Sequence, residues 1–70
     1  MTLVSLTDVL ADARRAGRGV GAFNVIQLEH AEALVAAAEE TELPVVLQIS
    51  ENAVRYHGSL APIALATMAV

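Results

Sequence analysis

The residues with chemistry in them are Asn24, next to last in the run "VGAFNV", and Gln48 and Ser50, in the last three residues of the run "PVVLQIS". All three are uncharged hydrogen-bonding groups on otherwise apolar stretches. An amide offers two donor protons and an acceptor oxygen, and a hydroxyl donates one proton while accepting at its lone pairs. Such a set can hold and orient an oxygen-rich ligand. Gln48 demands the most explanation, because the strand carrying it is apolar from Val45 to Leu47. A buried amide without a partner costs about 1–3 kcal/mol, so its partner must be backbone, water or a ligand.

The elements that position these residues follow from periodicity. "SLTDVLADARRAG" reads as a first helix, with Ser5 or Thr7 as N-cap, Asp8 in the first turn and Gly17 as the left-handed terminator. Leu6, Val9, Leu10 and Ala13 form its apolar stripe, and its arginines fall where the helix dipole favours cations. A short strand is predicted over residues 19 to 24. "IQLEHAEALVAAAEETE" is a second helix, with Leu28, Ala31, Leu34, Val35 and Ala38 on one face and the glutamates Glu29, Glu32, Glu39 and Glu40 outside it. Asn24 and Gln27 have capping-box spacing. Pro44 opens the second strand, where its missing N–H costs least. A weak helix ("ENAVRYHG"), a loop and a helix from about Pro62 complete the chain.

Strand, helix, strand is one βαβ unit with a parallel pair. A run apolar on both faces suits a parallel strand covered on both sides. Eight such units make the roughly 250 residues of a β/α barrel. Alternation then puts Val45, Leu47 and Ile49 toward the helices, and Val46, Gln48 and Ser50 toward a barrel interior. Asn24 takes the place at the end of the first strand that Ser50 takes near the end of the second. In such barrels the rim at the carboxyl ends of the strands carries the active site. Asn24 and Ser50 each precede a helix, so each is equally an N-cap candidate. The two roles are compatible, because a helix N-terminus also attracts anions.

Composition narrows the field. The chain has 70 residues, 56% of them hydrophobic, against about 45–50% for soluble domains. A chain of this size buries only about 60% of its unfolded surface, so it has too little of itself to cover that excess. It reads as residues 1–70 of a larger single domain. With no Cys there is no disulfide and no thiolate chemistry. The net charge of −4, with no basic cluster beyond Arg14, Arg15 and Arg18, argues against nucleic-acid binding. "MTLVSLTDVL" lacks the positive start of a signal peptide. "LAPIALATMAV" is far short of the roughly 20 residues that span a bilayer. A cytoplasmic protein without a membrane segment is expected. "GRGVG" precedes its strand and lacks dinucleotide-loop spacing. His57 is read as a polar residue of a loop, and His30 as a member of a solvated helix face among glutamates. No Ser-His-Asp set, metal-spaced cluster or P-loop is present.

The pair "VGAFNV" and "PVVLQIS", separated by "LEHAEALVAAAEETE" and flanked by "LVSLTDVLADARRAGR" and "SENAVRYHG", resembles the start of the class II fructose-bisphosphate aldolases, including tagatose-bisphosphate enzymes. The resemblance implies an α/β chain: an amino-terminal helix plus the first two βα units of a (β/α)8 TIM barrel. It implies a homo-oligomeric lyase of glycolytic carbohydrate metabolism. Such enzymes use zinc to cleave a phosphorylated ketose reversibly into the triose phosphates dihydroxyacetone phosphate and glyceraldehyde 3-phosphate. Asn24 matches the catalytic Asn that hydrogen-bonds substrate near the reacting carbons, Ser50 the phosphate-binding Ser, and Gln48 the Gln that shapes the same substrate-binding region. That family takes zinc through three His side chains, with its proton-transferring Asp beside the first of them in a His-x-Asp-His stretch at the third strand; that stretch has no counterpart here, and His57 matches no ligand. An alternative of another class is a non-catalytic α/β interaction module; a third is a phosphate-binding barrel enzyme without zinc. The 70 residues alone are expected neither to bind zinc specifically nor to cleave a ketose bisphosphate. Zinc titration with an aldol-cleavage assay checks this, and micromolar affinity accompanied by cleavage contradicts it.

Overall fold

A computed structural model describes residues 3–70. The order of elements is α1 (Leu6–Ala16), β1 (Gly21–Asn24), α2 (Leu28–Thr41), β2 (Val45–Gln48), α3 (Glu51–His57) and α4 (Ala61–Ala69). β1 begins later than its sequence suggests, at Gly21 rather than residue 19, and "ENAVRYHG" yields a formed helix with His57 as its last residue instead of in a loop.

The two strands pair in parallel, Gly21 opposite Val45 and Asn24 opposite Gln48. Val25 extends the ladder by donating its N–H to the Gln48 carbonyl at 2.8 Å. One face of the sheet meets the helices. Val25 is fully buried there with Ala31 of α2 and Ile63 of α4, and Leu34, Leu47, Ile49 and Val70 pack around them. Phe23 points the same way and lies back over Gly21, where an added Cβ would stand 2.6 Å from Phe23 Cε2. A glycine within the strand thus leaves room for the ring. The opposite face carries Ala22, Asn24, Val46 and Gln48, of which only Val46 is even half-buried. In α4, Thr67 is buried, and its hydroxyl donates to the Ile63 carbonyl at 2.7 Å.

The helix ends follow one device. After α1, Gly17 is left-handed (φ 69°), its N–H bonds to the Arg14 carbonyl, and the Arg18 N–H reaches back to Ala13. After α2 the same double bond forms from Glu42 to Glu39 and from Leu43 to Ala38, but Glu42 (φ 57°) occupies the left-handed position. That conformation costs a residue with a Cβ roughly 1–2 kcal/mol.

The apolar stripe of α2 is as expected at Ala31 and Val35, which are buried, while Leu28 at its start is exposed. In α1 only Ala13 of the stripe is buried; Leu6 and Leu10 stay exposed. Among the described residues the buried hydrophobics are small or β-branched, and Leu3, Leu43, Leu65 and Met68 are each more than half exposed. The radius of gyration of 12.8 Å exceeds the roughly 11 Å of a compact chain of this length. The apolar excess seen in the composition therefore remains at the surface.

Replacing Glu42 by Gly relieves the left-handed strain and removes a negative charge from the helix carboxyl end, partly offset by added chain entropy when unfolded. The expected outcome is a gain of about 1 kcal/mol, read as a higher urea midpoint with unchanged slope. A lower midpoint contradicts the assigned conformation.

Candidate functional site

Parallel pairing brings the carboxyl ends of both strands to one edge of the sheet. Asn24 closes β1 directly opposite Gln48, and alternation turns both side chains to the open face. There the Gln48 Nε2 donates to Asn24 Oδ1 at 3.0 Å. This answers the question of the Gln48 partner, with a correction: the amide is exposed, and what holds it is the amide of the neighbouring strand. The bond leaves both Nδ2 protons of Asn24 and the Oε1 of Gln48 directed to the surroundings.

Two residues beyond Gln48, Ser50 is half-buried and caps α3: its Oγ accepts from the Ala53 N–H at 3.1 Å. Since that bond uses a lone pair, the hydroxyl proton remains a donor. Asn24, in contrast, is not a helix cap. The α2 cap position is Gln27, without a side-chain bond, because the ladder bond from Val25 keeps the chain extended past Asn24. The capping-box spacing of Asn24 and Gln27 is therefore overruled by strand pairing. Of the two strand-end residues, only Ser50 caps a helix; Ser5 takes the expected N-cap position of α1, without a side-chain bond.

Two histidines hold the loop between β1 and α2. His30 is half-buried rather than solvated, and its Nδ1 accepts from the Ile26 N–H at 3.2 Å. His57 donates its Nε2–H to the Ile26 carbonyl, and Tyr56 packs edge-on against the His57 ring at a centroid distance of 5.0 Å. Sequence reasoning missed both contacts. For His30 a signal existed: it sits in the first turn of α2, where backbone N–H groups lack helical partners. Beside Ser50, Glu51 is exposed and paired with Arg55 at 2.9 Å, which moderates its charge at the rim.

Two clefts flank the sheet. The larger, about 520 Å³, lies by the amino end of β2 among Val35, Leu43, Pro44, Val45 and Met68, with Glu39 and Glu42 also on its wall. The smaller, about 360 Å³, opens beside β1 and reaches Asn24 and His30. Of these two, only the second reaches the polar edge, at Asn24. Among the described residues no three His, Cys, Asp or Glu side chains converge as a metal site. The residues present do not fit zinc, since among those described no third His, Cys, Asp or Glu side chain gathers with the two histidines.

The family described as "Fructose-bisphosphate aldolase class-II" matches residues 4–70. The fructose-bisphosphate aldolase of Geobacillus stearothermophilus is 48% identical over 58 residues, covering 83% of this chain and 20% of that protein. A probable fructose-bisphosphate aldolase of Bacillus subtilis (strain 168) matches to the same extent. The fructose-bisphosphate aldolase of Thermus caldophilus is 46% identical over 56 residues, covering 80% of this chain and 18% of that protein. The chain thus spans about a fifth of the length of these relatives. No solved structure matches it. No helix among the described residues is long and apolar enough to cross a membrane. A family match over residues 4–70 and identities near one-half make this chain a member of the class II fructose-bisphosphate aldolases.

Proposed function

We propose that Asn24, Gln48 and Ser50 are the phosphosugar-contacting part of a zinc-dependent aldolase centre. The reaction is reversible cleavage of a fructose or tagatose 1,6-bisphosphate to dihydroxyacetone phosphate and glyceraldehyde 3-phosphate. The two βα units are read as the first of a (β/α)8 barrel in a cytoplasmic homo-oligomer, with residues 1–70 as one portion of that single domain. The exposed apolar side chains of α1, α4 and the β2 entry support a larger body around them. Zinc and its ligands are assigned outside these 70 residues.

The observation that carries the reading is the Gln48–Asn24 bond. Gln48 fixes the Asn24 amide by its oxygen, so the Asn24 Nδ2 protons face a ligand in one orientation. Asn24 donates to a substrate oxygen next to the reacting carbons. Ser50 donates its hydroxyl proton to a phosphate oxygen while its lone pair stays on Ala53. A charge-assisted bond of that kind is about twice as strong as a neutral one. Asn24, Gln48 and Ser50 are uncharged donors, and Arg55 offsets Glu51 beside them, which suits a phosphorylated ketose better than a cation.

Chemical-shift titration of the chain with dihydroxyacetone phosphate tests the proposal. Shifts are expected at the Asn24 side-chain amide and the Ala53 N–H, and none with unphosphorylated dihydroxyacetone. Shifts confined to the cleft around Leu43 and Met68, or none at all, contradict it.

Ser50 can be separated into its two roles. Ser50→Ala removes cap and donor together, costing about 1 kcal/mol of stability and weakening ligand binding about tenfold. Ser50→Asp keeps a good cap and places a negative charge against the phosphate, so urea stability holds while binding disappears. Retained binding in the Asp variant contradicts a phosphate at Ser50.

A further inference from the structure

We propose that His30 and His57 are positioning residues that lock the β1–α2 loop and so set the spacing between the Asn24 amide and the Ser50 hydroxyl; this rests on the phosphosugar reading of the rim. The two rings hold successive peptide groups. His30 Nδ1 takes the N–H entering Ile26, and His57 Nε2–H binds the carbonyl leaving it. With Val25 N–H on the Gln48 carbonyl and the Asn24 side chain on Gln48 Nε2, every residue from Asn24 to Ile26 is tied to another element.

The helix α3 makes His57 more than a local latch. Ser50 caps its amino end and His57 is its last residue, so one rigid seven-residue rod spans from the donor of one loop to the backbone of the other. At 1.5 Å per residue that rod is roughly 10 Å long. The sheet fixes where Asn24 begins, and α3 fixes where its following loop stands relative to Ser50. Without His57 the Ile26 carbonyl has only water, and the loop is tied to α2 and the sheet alone. Ile26 itself is exposed, so side-chain burial does not hold the loop in place of the histidines.

The test compares wild type, His30→Ala, His57→Phe and His57→Gln in the full 70-residue chain. Amide exchange is read at Ile26, at the Gln48 side chain and at Ala53, together with affinity for dihydroxyacetone phosphate. His30→Ala is expected to speed Ile26 exchange about tenfold. His57→Phe is expected to speed exchange of the Gln48 side-chain amide and weaken the ligand about tenfold, with Ala53 protection held within about twofold. His57→Gln keeps a terminal N–H donor and is expected to restore both to within about threefold of wild type. Unchanged Gln48 exchange in His57→Phe overturns the proposal. Equal loss at Ala53 also overturns it, because His57 then merely holds α3 folded. Wild type that shows the exchange pattern but no ligand shifts overturns the phosphosugar reading and leaves the clamp standing.

Discussion

The register of two short parallel strands governs everything else in this chain. Asn24 opposite Gln48 is what allows one amide to fasten another. A slip of one residue sends every side chain of a strand to the other face. Gln48 would then join Val25 and Ile63 in the apolar core, and a core Leu or Ile would replace it at the rim. The register is pinned from the apolar side, where Val25, Leu47 and Ile49 must meet α2 and α4. Hydrophobic burial on one face thus fixes polar geometry on the other.

The same constraint shapes the helices. Because the ladder runs through Val25, α2 cannot start at Asn24 and begins only after Gln27. The intervening loop has no core side chain beyond Val25, so backbone bonds to His30 and His57 do the holding. After β2 the exit is tighter. Ile49 still packs in the core, Ser50 turns the chain, and its hydroxyl satisfies an N–H at the start of α3. The two strand exits are therefore built differently, one by strand extension with a histidine clamp and one by an immediate helix cap.

Much of this was legible in the residues. The pattern of α2 follows from its apolar spacing, and β2 from Pro44 and three consecutive apolar residues. Gly17 and Ser50 act locally, so their roles as terminator and cap could be read directly. What failed was long-range. The Asn24 cap was plausible by spacing, but strand pairing competes for the same backbone and wins. Alternation placed Gln48 on the right face without revealing that this face is uncovered. The exposed Leu6 and Leu10 of α1 show the same limit: a stripe announces a side to bury, not a partner. His57 lies 31 residues from Ile26, and nothing in "RYHG" names that carbonyl.

The most direct measurement of the account is the nuclear Overhauser pattern between the strands. The account predicts cross-peaks joining the Asn24 and Gln48 side-chain amides, with backbone contacts of a parallel pair in the register Gly21 to Val45. Close cross-strand Hα–Hα peaks of an antiparallel pair, or Gln48 side-chain peaks to Val25 and Ile63, would contradict it and remove the shared rim on which the proposed function rests.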